Sequence, residues 1–189
     1  MGTKAAFPLF LRLEGRRVLV VGGGQVALEK ALALRAAGAS LFVVAPEVHA
    51  DLATMADSVA VRPYADRDLD DVWLVVAAAT SEVNRAVKVG ADARRLFVVA
   101  VDDPENGSAI GAAQLRRGGI TVALSSDGRA PALVALLRRA LEQVIPEDVH
   151  AWLSLAEEAR GTWKRVGVPI AERRPLLLRA LNALYEEHA

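Results

Sequence analysis

The chain has 189 residues, 53% of them hydrophobic, and its 23 Lys and Arg residues balance its 23 Asp and Glu residues. A net charge of zero provides no global field that would attract nucleic acid or a membrane surface, so any anion must be recognised by local clusters. There is no cysteine, which excludes disulfides, thiolate nucleophiles and cysteine-ligated metal sites.

The first predicted strand, residues 18–21, runs directly into a glycine-rich turn and then into a helix predicted over residues 26–37. The turn has the pattern Gly-x-Gly-x-x-Ala, which is typical of a pyrophosphate site. Gly22 allows the tight turn, Gly24 lets the phosphates approach the backbone, and Ala27 allows the helix to pack closely on the strand. The N–H groups at the start of the helix would face the anion. A glycine turn that binds nothing is the alternative.

Short apolar strands and helices then alternate. Continuous apolar strands separated by helices indicate a parallel sheet covered on both faces. The sequence therefore predicts a doubly wound, Rossmann-like α/β domain, which would bind NAD and extend over residues 1–104. Its further strands are predicted at residues 41–44, 59–62, 74–78 and 97–101, with a helix over residues 82–93.

The pattern changes after Pro104. Two strand-like stretches, residues 109–115 and 120–124, are joined by Arg116-Arg117-Gly118-Gly119, which predicts a β-hairpin with the two arginines at its tip. A helix with one apolar stripe is predicted over residues 131–144.

This hairpin and helix lie in residues 105–146, which we interpret as a dimerisation and substrate-cleft region. Such a small unit cannot bury its own apolar face, so we expect a homodimer. Residues 147–189 are predicted to form a small helical C-terminal domain with breaks at Gly161 and near residues 167–169.

In a sheet of this kind the ligand lies beyond the carboxyl ends of the strands. Position 45, where an acidic residue would accept bonds from a ribose, is an alanine, and Glu47 lies two residues later. No arginine in residues 44–47 could receive a 2′-phosphate, which favours NAD over NADP. The predicted cofactor-binding residues are Gly22, Gly23, Gly24, Gln25, Val26, Ala45, Pro46, Thr80 and Asp103.

Asp102 is the predicted catalytic residue, because it follows a central strand at the edge where a nicotinamide would lie. A carboxylate beside a partly closed apolar site can have its pKa raised and act as a general base. The alternative is that the Asp-Asp-Pro sequence forms an ordinary turn in which a side chain caps its own backbone.

Arginines in the second half are suited to gripping carboxylates through their planar guanidinium groups. Arg116, Arg117 and Arg129 are therefore candidate substrate-binding residues, although solvated surface charges are the commoner explanation. Ser126 has no neighbouring histidine and is no nucleophile, so a hydrogen-bonding role is favoured. The histidines at positions 49, 150 and 188 have no metal-ligand spacing, and no metal site is predicted.

Several sequence blocks, in this order and spacing, resemble the precorrin-2 dehydrogenase family, which includes the amino-terminal half of bifunctional siroheme synthases. They are FPLFLRLEGRRVLVVGGGQVALEKALALRAAGA from Phe7, then VVAPE, AAAT followed by Asn84, VDDP, and ALSSDGRAPALVALLRRALE, which ends shortly before Pro146. The similarity extends from Phe7 to about Trp163, which is most of the chain.

The resemblance implies a homodimer that oxidises precorrin-2 to sirohydrochlorin with NAD, a step in siroheme biosynthesis. In some members the same cleft also inserts ferrous iron. The family's catalytic aspartate corresponds to Asp102, and its tetrapyrrole-cleft serine corresponds to Ser126. The chain departs from the family at Val99 and Ala100, at residues 109–112 and at residues 125–131, all on the substrate side, which leaves iron insertion open.

Three alternatives share parts of these features: a non-enzymatic NAD-sensing domain, a chelatase without oxidation, and a dehydrogenase of a smaller substrate. The sensing domain would need neither the Asp-Asp pair nor the arginine-bearing hairpin. The chelatase could tolerate a decayed glycine turn, whereas the turn here is intact. Residues 1–10 lack the pattern of a signal peptide, and no segment has the roughly 20 apolar residues of a spanning helix, so a cytoplasmic location is expected.

Overall fold

The computed structural model describes residues 6–186, and the chain divides into two compact units between Gly111 and Ala112. In the first unit five strands form a parallel sheet in the order β3-β2-β1-β4-β5. The prediction of a Rossmann-like α/β fold is therefore confirmed. The strands are β1 (Arg17–Val21), β2 (Ser40–Ala45), β3 (Ser58–Val61), β4 (Leu74–Ala77) and β5 (Phe97–Ala100).

The register of the sheet aligns the carboxyl ends of β1, β2, β4 and β5. Because β5 is an edge strand, the prediction that Asp102 follows a central strand was wrong: order along the chain does not give order across the sheet. Val21 at the end of β1 pairs with Val44 and Ala77, and Ala77 in turn pairs with Ala100. Because the strands are parallel, the loops that follow β1, β2, β4 and β5 emerge at the same edge.

The sheet is buried on both faces, which explains why its strands are continuous apolar runs. On one face Val18, Val20 and Leu41 pack in a cluster, and on the other face Leu19, Val21 and Val75 pack in a second cluster. The helices of this unit are α1 (Gln25–Ala36), α2 (Ala50–Met55) and α3 (Ser81–Ala93).

Three short elements of the first unit were not predicted: α2 and two 3-10 turns, at Asp66–Leu69 and Pro104–Asn106. All three are too short to show a helical period. The turn at Asp66–Leu69 is held by the buried carboxylate of Asp68, to which Arg62 donates at 2.8 Å and the backbone N–H of Ala65 donates, to the same oxygen, at 2.9 Å.

The second unit contains an antiparallel hairpin of β6 (Ala113–Arg117) and β7 (Ile120–Leu124). The turn is Gly118-Gly119, both with positive φ, which is the conformation that two-residue hairpins prefer. The prediction that the arginines lie at the tip was wrong, because Arg116 and Arg117 belong to β6. The predicted start of this strand at position 109 was also wrong: Ala109 instead forms an isolated parallel bridge with Val99.

Three helices complete this unit: α4 (Pro131–Val144), α5 (Val149–Val166) and α6 (Ile170–Glu186). The predicted break at Gly161 was wrong, since this exposed glycine lies inside α5. The predicted break near residues 167–169 is confirmed, because α5 ends at Gly167, which has a φ of 76°. The predicted division at residues 104 and 146 stays a prediction.

No helix among residues 6–186 is both long enough and apolar enough to cross a bilayer. Residues 1–5, which belong to the stretch expected to lack a signal peptide, and His188 lie outside the described residues.

Candidate functional site

The glycine-rich turn after β1 is in close contact with the chain that follows β4. Gly22 has a φ of 124°, and a Cβ atom there would lie 2.2 Å from the carbonyl oxygen of Ala78. Only glycine meets both conditions, because it tolerates positive φ and lacks the colliding atom. The predicted tight turn at Gly22 is therefore supported by two independent constraints.

Gly23 contacts the chain after β2. A Cβ at Gly23 would lie 1.9 Å from the carbonyl oxygen of Glu47, and the carbonyl oxygen of Gly23 accepts a 2.8 Å hydrogen bond from the N–H of His49. The middle glycine thus allows the segment after β2 to pack on the turn. The sequence contains a signal for this role, since the Gly-x-Gly pattern does not require a glycine at its middle position. The role itself depends on a tertiary contact.

Gly24 differs from both neighbours, because no atom lies within 4 Å of the position that its Cβ would take. It is the N-cap of α1 and makes no side-chain cap, so the first-turn N–H groups of Gln25 and Val26 have no intrahelical acceptor. Ala27 is fully buried beneath them. Open space in front of free N–H groups at the positive end of a helix fits a phosphate.

A cavity of about 370 Å³ adjoins this turn within the first unit. Its lining comes from the start of α1, the segment after β4, the start of α3 and the segment after β5. Three predicted site residues, Val26, Asp102 and Asp103, line it, whereas Ala45 and Pro46 are not part of the lining. Asn84, which follows one of the sequence blocks that carry the family resemblance, also lines the cavity, and the remaining lining residues are Ala78, Ala79, Ser81 and Val101.

The two aspartates after β5 have different environments. Asp102 is exposed, has a φ of 55° and lines the cavity. Asp103 accepts hydrogen bonds from the side-chain amides of Asn106, at 2.9 Å, and Asn84, at 3.1 Å. These bonds hold the pKa of the Asp103 carboxyl below its usual value, and the bond from Asn106 contributes most. Each oxygen of the Asp103 carboxylate therefore already accepts at least one hydrogen bond.

Two further predicted cofactor residues have local structural contacts. The hydroxyl of Thr80 caps α3 by accepting from the N–H of Val83 at 3.5 Å. Ala45 is buried, and its carbonyl accepts from the N–H of Arg62 at 3.0 Å. The guanidinium of Arg62 is engaged by Asp68, so it is not a free cation at the end of β2.

The predicted substrate-binding residues lie in the second unit. Arg117 donates to the carbonyl oxygens of Glu142, at 2.7 Å, and Ile145, which are at the C-terminal end of α4. The side chain of Arg117 therefore caps a helix, where a cation is favoured by the helix dipole.

Arg116 and Arg129 are exposed. The Nε of Arg129 donates to the carbonyl oxygen of Ser126 at 3.1 Å, and the hydroxyl of Ser126 accepts from the N–H of Ala130 at 2.9 Å. These two bonds order the turn before α4.

Comparison with known proteins gives a consistent set of relatives. Residues 9–113 match the model of a family described as putative NAD(P)-binding. Siroheme synthase 2 of Aeromonas hydrophila is 43% identical over 176 residues, which are 92% of this chain and 37% of that protein. Siroheme synthase of Chromobacterium violaceum is 46% identical over 145 residues, or 74% of this chain and 31% of that protein. The chain thus spans less than half the length of these relatives.

A solved structure titled SirC, precorrin-2 dehydrogenase, matches with a TM-score of 0.72 and 29% sequence identity. The match covers 92% of this chain and 88% of that one. In contrast to the siroheme synthases, this neighbour is matched over most of its length, including the region beyond the parallel sheet.

Proposed function

This chain belongs to the putative NAD(P)-binding family, and we propose that it is an NAD-dependent dehydrogenase that oxidises precorrin-2 to sirohydrochlorin in siroheme biosynthesis. One observation carries the proposal: the open end of the glycine turn and the carboxylate of Asp102 belong to the same edge of the sheet, and Val26 and Asp102 line the same cavity. A cofactor held at the turn would therefore extend towards an acid–base group.

The glycine turn fits a dinucleotide. The space beside Gly24 and the N–H groups of Gln25 and Val26 would hold the pyrophosphate. NAD is favoured over NADP because Arg62, the arginine at the end of the neighbouring strand β3, is engaged by Asp68 and so is not free to neutralise a 2′-phosphate. When bound, the nicotinamide supplies a hydride acceptor.

The oxidation removes a hydride and a proton from the macrocycle. We propose that the carboxylate of Asp102 accepts the proton, since it lines the cavity and is exposed. Asp103 is less suited to this role because Asn84 and Asn106 occupy its oxygens.

Precorrin-2 carries many carboxylates, and arginine binds carboxylates well. We propose Arg116, Arg129 and Ser126 as substrate-binding residues, whereas Arg117 is assigned to capping α4.

A homodimer is proposed because α4 exposes an apolar stripe. A cytoplasmic location is proposed as the usual one for such biosynthetic enzymes. The exposed residues of the stripe are Leu133, Leu136, Leu137 and Val144.

The test is anaerobic incubation of the full chain with precorrin-2 and NAD, following reduced nicotinamide and the tetrapyrrole spectrum together. We expect one NADH for each sirohydrochlorin formed. NAD binding without any reduction would contradict the dehydrogenase and favour a sensing domain or another substrate.

The matched variants are Asp102→Asn and Glu105→Ala. Asparagine tolerates positive φ, so Asp102→Asn removes the proton acceptor without forcing the backbone to change. We expect kcat to fall about 100- to 10,000-fold while the Kd for NAD is unchanged. Glu105 is an exposed neighbouring carboxylate that does not line the cavity, and its variant should keep normal turnover. Normal turnover by Asp102→Asn would exclude the proposed role.

A further inference from the structure

Asp102 has a backbone conformation that L-residues rarely adopt. Its φ of 55° lies in the left-handed region, which aspartate enters more readily than most residues but does not prefer. A single residue in this region is maintained only when its surroundings determine it. The structure must therefore contain contacts that hold the chain at this point.

Those contacts converge on the next residue. The carboxylate of Asp103 accepts from Asn84 at 3.1 Å and from Asn106 at 2.9 Å. Both amides are buried, with 1% of Asn84 and 9% of Asn106 exposed, so neither can readily exchange its partner for water. Asn106 also donates to the hydroxyl of Ser81 at 3.3 Å.

The same cluster reaches the glycine turn. The side-chain oxygen of Asn84 accepts from the N–H of Ala79 at 3.2 Å. The preceding carbonyl, that of Ala78, is the atom that a Cβ on Gly22 would strike. One buried amide therefore links the segment that supports the turn to the segment that carries Asp102.

We propose that Asp103 is a positioning residue whose carboxylate, gripped by Asn84 and Asn106, holds Asp102 in the left-handed conformation in which it lines the cavity. This inference rests on the proposed function of Asp102. It replaces the sequence-based prediction that the side chain of Asp103 binds the cofactor. The lowered pKa of Asp103 agrees with a carboxylate that stays ionised and accepts hydrogen bonds.

An exchange of side chains tests this. In Asp103→Asn alone, one of the two oxygen acceptors becomes a donor that faces other donors. In Asn84→Asp alone, two carboxylates face each other, which is unfavourable. In the double variant the carboxylate at position 84 accepts from Ala79 and from the new amide, and the amide oxygen at position 103 accepts from Asn106. The double variant thereby keeps the bond between positions 84 and 103 and one of the two bonds from Asn106, with the charge moved.

We expect each single variant to lower kcat at least about tenfold, with the Kd for NAD changed less than about threefold, and the double variant to recover kcat to within about threefold of the wild type. Asp92→Asn, at the exposed far end of α3, controls for general effects on that helix and should keep normal kcat. Thermal unfolding identifies any variant that has lost its fold.

Two results would overturn the inference. If the single variants keep full kcat, the hydrogen bonds from Asn84 and Asn106 to Asp103 do not matter for turnover. If the double variant folds but stays as slow as Asp103→Asn, a carboxylate is needed at position 103 itself and Asp103 takes part in the chemistry.

Crystal structures of the variants separate this inference from the proposed function. If wild-type protein does not oxidise precorrin-2, the proposed function fails, and the φ of Asp102 then decides the inference. It should stay positive in the wild type and the double variant and change in Asp103→Asn. An unchanged conformation of Asp102 in Asp103→Asn would overturn the positioning role.

Discussion

The two units of the chain bury their apolar residues to very different extents. In the first unit the strands β1, β2 and β4 are almost completely buried between two layers of helices. In the described part of the second unit, the buried apolar residues are Leu115, Val134 and Val149, while α4 exposes 64% of Leu136 and 74% of Val144. A parallel sheet with helices on both faces completes its own core, whereas a two-stranded hairpin with a few helices leaves much of its apolar surface exposed. The first unit is therefore expected to be stable by itself and the second to depend on a partner subunit.

The largest expected effect on the stability of the first unit comes from a substitution in the glycine turn. Gly23→Ala should cost about 2–4 kcal/mol of stability, because its methyl group would meet the backbone at Glu47 and neither segment can give way easily. Urea unfolding of the full chain measures this.

Gly24→Ala is the matched control in the same turn. Open space surrounds the added methyl group, so stability should change by less than about 0.5 kcal/mol, while the Kd for NAD should rise because the methyl group occupies the phosphate site. Equal losses of stability in both variants would show that the turn is not packed as described.

A substitution in the exposed apolar stripe of α4 tests whether the second unit depends on a partner subunit. Leu136→Asp should weaken self-association by about 10- to 100-fold, because a charge would have to be buried in an apolar interface. Sedimentation velocity at micromolar concentration measures the change. NAD binding should persist, since the glycine turn belongs to the first unit.

Ala135→Asp provides the control, since Ala135 is also exposed but lies on a different face of α4. It should leave the oligomer intact. A wild-type chain that sediments as a monomer would contradict the proposed dimer and leave the exposed leucines unexplained.

The smallest expected effect on stability concerns the ion pair between Arg62 and Asp68 in the first unit. Hydrogen bonds from Arg62 hold the pKa of the buried carboxyl of Asp68 below its usual value. A lowered folded-state pKa contributes stability above the unfolded-state value of about 3.9, and this contribution is lost as the pH falls through the folded-state value. Asp68→Asn should therefore cost about 1–2 kcal/mol at pH 7.

The difference between wild type and Asp68→Asn should shrink as the pH falls below about 4, because the protonated acid resembles the amide. Urea midpoints measured from pH 7 to pH 3 would show this. A difference that is independent of pH would mean that the charge of Asp68 contributes nothing to the stability of the folded chain.

The contrast between predicted and unpredicted features follows the range of the interactions involved. The strands of the sheet and α4 were predicted well, because their apolar periods lie within the segments themselves. The short helix α2 and the 3-10 turn at Asp66–Leu69 were missed because neither is long enough to show a helical period. The arginines were misplaced because the first hairpin strand lies at Ala113–Arg117 instead of residues 109–115, so that Gly118-Gly119 forms the whole turn; the second strand lies where it was predicted.

The sequence by itself determined the parallel sheet, the glycine turn and the position of Asp102 shortly after the last strand of the sheet, because each depends on local order along the chain. Tertiary structure alone decided which groups are free to act. It engaged Asp103 with Asn84 and Asn106, placed Arg117 on the end of α4, and left Gly24 and Asp102 open. The physical reason is that hydrogen bonds between distant segments form only when the fold brings their donors and acceptors together.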